Sequence, residues 1–132
     1  MQIELIELRD RYSILKLNSL PDVRVFSGFF TLSRTGDEIS LVCLTDEADK
    51  LSYCACEDGY AALRVAGKLD FSLVGVLSRL TSALAAAGIP VCAISTYDTD
   101  YLLIKQCSMQ AAEQALSGAN ILWKGLEKSE EQ

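Results

Sequence analysis

The sequence predicts an α+β fold, and three observations carry that expectation. The second half alternates strand-like and helix-like apolar patterns in the order strand, helix, strand, strand, helix, strand. The first half holds a turn-centred hairpin, FFTLSRTGDEISLVCL, and no stretch suited to a full helix. Half of the 132 residues are hydrophobic, enough to bury a real core instead of remaining disordered.

Each element follows from local pattern. From Ile3 to Leu17 the apolar residues come in short alternating groups, Ile3 with Leu5 and then Ile14, Leu15 and Leu17, divided by the charged patch Glu7 to Arg11. Two strands, or a strand and a poorly formed element, fit that spacing. NSLPDVRVFSG is turn-rich, and with Pro21 near its start and Gly28 at its end it is too short and too broken for a full helix. Phe29 to Leu32 are strand formers, Gly36-Asp37 supplies the turn, and Ile39 to Leu44 is the returning strand. TDEADK then reads as an acidic, exposed segment.

Tyr60 to Val65 is the next strand candidate, and GKLDFS leads into a helix whose apolar positions Leu73, Val76, Leu77, Leu80 and Leu84 keep helical spacing. Asp70 or Ser72 can cap its start, and Gly88 with Pro90 stops it. Val91 to Tyr97 and Tyr101 to Lys105 form two strands joined by a tight connection. Ser108 can cap a second helix through Met109, Ala112 and Leu116, ended by Gly118, and Ile121 to Trp123 is the last strand. That order is the split βαβ, or ferredoxin-like, βαββαβ pattern. The expected organisation is a smaller, β-rich, incomplete module over 1–57, a complete module over 58–125 and a polar tail over 126–132.

Composition removes several function classes. Eighteen acidic against twelve basic residues give a net charge of -6, which repels nucleic-acid backbones and anionic membrane surfaces. The start MQIELIELRDRYS lacks the basic and apolar regions of a secretory signal, and the apolar run Ala83 to Ile94 is too short to span a bilayer. The expectation is a cytoplasmic protein. Its five cysteines, odd in number and set mostly in apolar strings, read as reduced, packed thiols.

Catalytic parts are scarce. There is no histidine, so neither a Ser-His-Asp nor a Cys-His arrangement can be assembled from this chain. Cys54 and Cys56 are too close together for a common zinc site, and the D-x-D start at Asp98 and Asp100 lacks the glycine and glutamate of a calcium loop. The strand pair around Ala93, Ile94, Ser95 and Leu103 lacks the exposed aromatics of an RNA-recognition sheet. No enzyme, metal or cofactor is expected.

What remains is GKLDFS before the first helix and STYDTD after the next strand. A βαββαβ unit brings these to one side of the sheet, so Asp70 can approach Thr96 and Asp100. Free N–H groups at a helix start suit a carboxylate, and side-chain carboxylates suit an ammonium group, which together are the needs of an α-amino acid. The same residues also have ordinary uses: Asp70 as an N-cap, Thr96 as a strand residue, and Asp98 with Asp100 as an Asx-type turn.

Across GKLDFSLVGVLSRLTSALAAAGIPVCAISTYDTDYLLIK the chain resembles ACT domains, and within them the subgroup that includes the CASTOR arginine sensors. The resemblance lies in the helix start around Asp70, Gly75 and Leu77, in A-G-I at Ala87 to Ile89, and in S-T-Y-x-x-D at Ser95 to Asp100. FFTLSRTGDEISLVC resembles the first-module hairpin of the same subgroup. The resemblance implies tandem ACT-like modules without an attached enzyme domain, acting as an amino-acid-binding regulator or sensor. One module would supply Gly67, Asp70, Thr96, Tyr97 and Asp100 to a free amino acid. Pro90 and Val91 would come from another copy, which makes the expected assembly a homodimer that signals to a regulated protein. The alternative is a protein-interaction or assembly module whose ligand site is vestigial.

Overall fold

The computed structural model describes residues 3–66 and 75–127. In chain order its elements are β1 (Ile3–Glu7), β2 (Tyr12–Leu17), a 3-10 turn (Val23–Val25), β3 (Thr31–Arg34), β4 (Ile39–Leu44) and α1 (Thr45–Ala48). There follow β5 (Tyr53–Val65), α2 (Val76–Ala86), β6 (Cys92–Ser95), β7 (Asp100–Lys105), a 3-10 turn (Gln106–Ser108), α3 (Met109–Gly118) and β8 (Ile121–Leu126). The fold is mixed α+β. Contacts divide it into two compact units, Asp10–Tyr60 and Met1–Arg9 with Ala61–Gln132.

In the unit Asp10–Tyr60, β4 lies between β3 and β2, and β2 pairs onward with the first part of β5. All three pairings are antiparallel, with Leu15 opposite Leu41 and Leu17 opposite Ile39. Strand alternation turns Leu15, Leu17, Leu41 and Cys43 to one face, where Phe26, Phe30 and Leu51 complete the core. Between β2 and β3, as the sequence leads one to expect, no full helix forms. A single 3-10 turn stands there, its start capped by the Asp22 carboxylate, which accepts the Arg24 N–H at 3.0 Å. Leu20, Val23 and Val25 are left exposed around it.

Two features of this unit differ from the sequence reading. TDEADK is not merely an exposed stretch: Thr45–Ala48 forms the short helix α1, because Ala48 is apolar enough to enter the core and the Thr45 N–H bonds the Arg11 carbonyl at 2.9 Å. Glu47 on that helix accepts both the N–H and the hydroxyl of Ser27, at 2.9 and 3.1 Å, and so pins the chain after the 3-10 turn. The strand expected from Tyr60 begins at Tyr53, where main-chain pairing to β2 holds residues whose side chains are largely exposed.

In the other unit the strand order is β6-β7-β5-β1-β8. The elements from Ala61 onward keep the ferredoxin-like order β5, α2, β6, β7, α3, β8. To them β1 is added, antiparallel to β5 (Leu5 opposite Val65) and parallel to β8 (Ile3 opposite Ile121). The first strand of the chain thus completes the sheet of the later unit, with Ile3 and Leu5 on its buried face. Helical spacing places Val76, Leu80 and Leu84 of α2 and Met109, Ala112 and Leu116 of α3 over Leu63, Val65, Leu102 and Ile104. Burying such side chains contributes about 1.5–3 kcal/mol each. Leu73, proposed for the same stripe, lies outside the described residues, as does Ser72. Ser108 precedes α3 as expected but makes no side-chain cap bond. No described helix is long and apolar enough to cross a membrane.

Candidate functional site: the β6–β7 hairpin

Sequence chemistry builds this hairpin from both ends. Upstream, α2 ends in a Schellman motif: the Gly88 N–H bonds the Ala85 carbonyl and the Ile89 N–H reaches the Leu84 carbonyl, both at 3.0 Å. That closure needs a left-handed residue, and Gly88 supplies it at φ 73°. Ile89 then enters the core, and Pro90 and Val91 lead into β6. Pro90 is exposed, whereas Val91 packs partly against the core.

Downstream, Ser95 pairs with Asp100 and closes a turn of Thr96, Tyr97, Asp98 and Thr99. The Thr96 N–H bonds the Thr99 carbonyl at 2.8 Å, the Thr96 hydroxyl donates to the same carbonyl at 3.1 Å, and the Thr99 N–H points back at that hydroxyl at 3.4 Å. Threonine at the first turn position therefore caps its own turn, which is the local reason the chain reverses here. Ser95 donates its hydroxyl to Asp100 Oδ1 at 2.6 Å, orienting the carboxylate. Tyr97 stands at the tip, 81% exposed.

Thr99 turns the other way. It is buried, 8% exposed, and its hydroxyl donates to the Val65 carbonyl at 2.8 Å. This bond ties the turn to the end of β5, two residues before Gly67. Gly67 and Asp70 themselves lie outside the described residues. The hairpin thus gathers Thr96, Tyr97 and Asp100, while Pro90 and Val91 sit at the far end of β6. Val91 and Thr96 are five residues apart along an extended strand, roughly 16 Å at the usual rise.

Sequence reasoning missed Thr99 and Ser95 as parts of the site. Ser95 was legible as the residue opposite Asp100 across the turn. Thr99 had a weaker signal, a hydroxyl at the last turn position just before an apolar strand.

Ser13, fully buried, bonds the Thr45 hydroxyl at 2.9 Å and donates to Asp58 Oδ1 at 2.5 Å, so the buried hydroxyl is satisfied. Among the described residues no cluster of His, Cys, Asp and Glu could hold a metal ion. All five cysteines are free thiols. The expectation of packed thiols fails at Cys54, which is exposed where the pairing of β5 with β2 shifts register, and at Cys107, which lies on an exposed 3-10 turn. Burial, with the neighbouring Glu47 and Cys56 charges, pushes the Cys43 thiol up to about 11, and burial also raises Cys92. Neither is set up as a nucleophile.

Known proteins place this geometry in context. A search of curated proteins gives no match. Among solved structures, a protein from Agobacterium tumefaciens superposes with a TM-score of 0.85 at 25% identity, covering 100% of this chain and 99% of that one. The regulatory subunit of aspartate kinase from Thermus thermophilus, in its ligand-free form, gives 0.60 at 13% identity over 87% of this chain and 95% of that one. Aspartate kinase from Clostridium acetobutylicum, described as an allosteric enzyme, gives 0.64 at 13% identity over 89% of this chain and 34% of that one. These likenesses match the ferredoxin-like architecture described above. Residues 55–118 match the family model of the ACT domain, the family that the motifs at Gly75 to Leu77 and Ser95 to Asp100 resemble.

Proposed function

We propose that this protein is an amino-acid-binding regulator. A free amino acid would be held between the β5–α2 loop, with Gly67 and Asp70, and the hairpin residues Thr96, Tyr97 and Asp100. The observation that carries this reading is the hairpin itself: a hydroxyl-oriented carboxylate at Asp100, fixed to the end of β5 inside the stretch that matches the ACT-domain model. Asp100 would take the ammonium group, and main-chain N–H groups of the loop would take the carboxylate. Pro90 and Val91, which precede β6 as Thr96 follows it, would be contributed by a second copy, and the proposed assembly is a homodimer with two equivalent sites. The regulated partner is another protein, the compartment is the cytoplasm, and the chain's role is regulatory, not catalytic. The resemblance to the CASTOR subgroup supports a sensor, and the aspartate kinase regulatory subunit, at 13% identity, lends only its fold.

One observation favours a second reading, an assembly module with a vestigial site: Ser95 already satisfies Asp100 Oδ1 at 2.6 Å. A thermal-shift screen against the twenty amino acids and ornithine, with the oligomeric state measured alongside, separates the two. A ligand at 100 times its Kd adds about 2.7 kcal/mol and raises Tm by several degrees. A stable dimer whose Tm none of them moves sinks the sensor and leaves the assembly module.

A further inference from the structure

The hydroxyl of Thr99 is the one side-chain group of the β6–β7 turn that is buried and spent entirely on holding the turn in place. Its neighbours Thr96, Tyr97 and Asp98 are exposed, and Asp100 is half-buried at the strand start. The bond from Thr99 Oγ1 to the Val65 carbonyl runs from the hairpin to the last residue of β5. Backbone hydrogen bonds around Val65 continue on the β1 side, where the Ala66 N–H reaches the Glu4 carbonyl at 2.9 Å. On the turn side, where β7 pairs with β5, the Thr99 hydroxyl adds a side-chain link.

The hairpin β3–β4 offers an internal control. Its turn also begins with threonine, and the Thr35 N–H bonds the Glu38 carbonyl at 2.9 Å, as Thr96 bonds Thr99. At the last turn position, however, it has Glu38, an exposed residue. A turn of this kind closes without a buried hydroxyl, so Thr99 is not needed to form the turn. It fixes where the turn sits.

We propose that Thr99 is the positioning residue of the ligand hairpin, its hydroxyl fixing Thr96 and Asp100 against the end of β5 at Val65. This inference rests on the amino-acid reading of the same site. Thr99 touches no ligand itself. It acts through Thr96, whose N–H and hydroxyl both bond the Thr99 carbonyl.

Thr99→Val keeps the shape and removes the donor, Thr99→Ser keeps the donor, and Thr35→Val perturbs the other turn. Hydrogen exchange at the Thr96 amide, measured without added amino acid, should rise about tenfold in Thr99→Val and stay at the wild-type rate in Thr99→Ser and Thr35→Val. The Tm increments produced by the twenty amino acids in millimolar excess should be lost in Thr99→Val and kept in the other two. A Thr99→Val protein that exchanges and responds as wild type does overturns the role of Thr99 alone. A wild type that none of the amino acids stabilises overturns the amino-acid reading, and the positioning role with it, even if the exchange result stands.

Discussion

The hairpins β3–β4 and β6–β7 close through the same four-residue turn, yet one is a plain reversal and the other a candidate binding site. Each opens on a threonine whose N–H bonds the carbonyl of the fourth turn residue, at 2.9 Å in one and 2.8 Å in the other. Matched by strand register, Leu41 corresponds to Leu102 and Cys43 to Ile104. The divergence sits in the closing pair and the last turn position. Arg34 pairs with Ile39 in the first hairpin, whereas Ser95 pairs with Asp100 in the second. Glu38 is exposed where Thr99 is buried. Turn chemistry is local and can be reused, while the groups that could hold a ligand's ammonium depend on three or four side chains at the turn's edge. Ile39 gives the first hairpin no carboxylate at that place.

Several changes would break or sharpen this comparison. The largest effect should come from the shared frame. Leu41→Ala and Leu102→Ala each truncate a fully buried side chain, so each should cost about 2–5 kcal/mol in denaturant unfolding. A cost near zero for either would mean that its hairpin is not held by the core described.

Next comes a difference within the frame, the thiol of Cys43 where the second hairpin has Ile104. Burial lifts its folded pKa to about 11, above an ordinary thiol's 9.0, so its contribution is fully present below pH 9 and is lost as pH rises from 9 through 11. The alkaline loss should be on the order of 2 kcal/mol and should shrink in Cys43→Val. Equal alkaline loss in both proteins would remove Cys43 as its cause.

A smaller effect should separate the turns themselves. Thr99→Val leaves the Val65 carbonyl without its side-chain donor and should cost about 1–3 kcal/mol. Thr35→Val, in an exposed turn open to water, should cost about 0.5–1 kcal/mol by urea titration. Equal costs would mean that the buried anchor adds nothing beyond turn closure.

Much of this architecture was legible in the sequence because its causes are local. The helical spacing of Val76, Leu80 and Leu84 and the glycine stop at Gly88 act within a few residues, and they read correctly, whereas the strand expected to run to Tyr97 ends at Ser95 because Thr96 opens the turn. The misses have non-local causes. Alternation at Ile3 and Leu5 announces a strand with one buried face, but not that its partners are Val65 and Ile121, some 60 and 120 residues away. Residues 53–59 carry little apolar alternation, so only their pairing with β2 reveals the early start of β5. The short helix α1 is below the length at which periodicity speaks. At the site, Thr96 and Asp100 were readable as a hydroxyl and a carboxylate beside a turn. The anchoring of Thr99 depends on a bond spanning 34 residues, which no spacing rule encodes.

The most direct test of the central claim is a calorimetric titration of wild type and Asp100→Asn with whichever of the twenty amino acids raises Tm most. Asparagine keeps the size and hydrogen-bonding capacity of the side chain and removes its charge. The account predicts one amino acid bound per wild-type chain and at least a tenfold weaker Kd in Asp100→Asn, with the fold intact. Equal affinity in the two proteins would contradict it and move the site away from the β6–β7 hairpin.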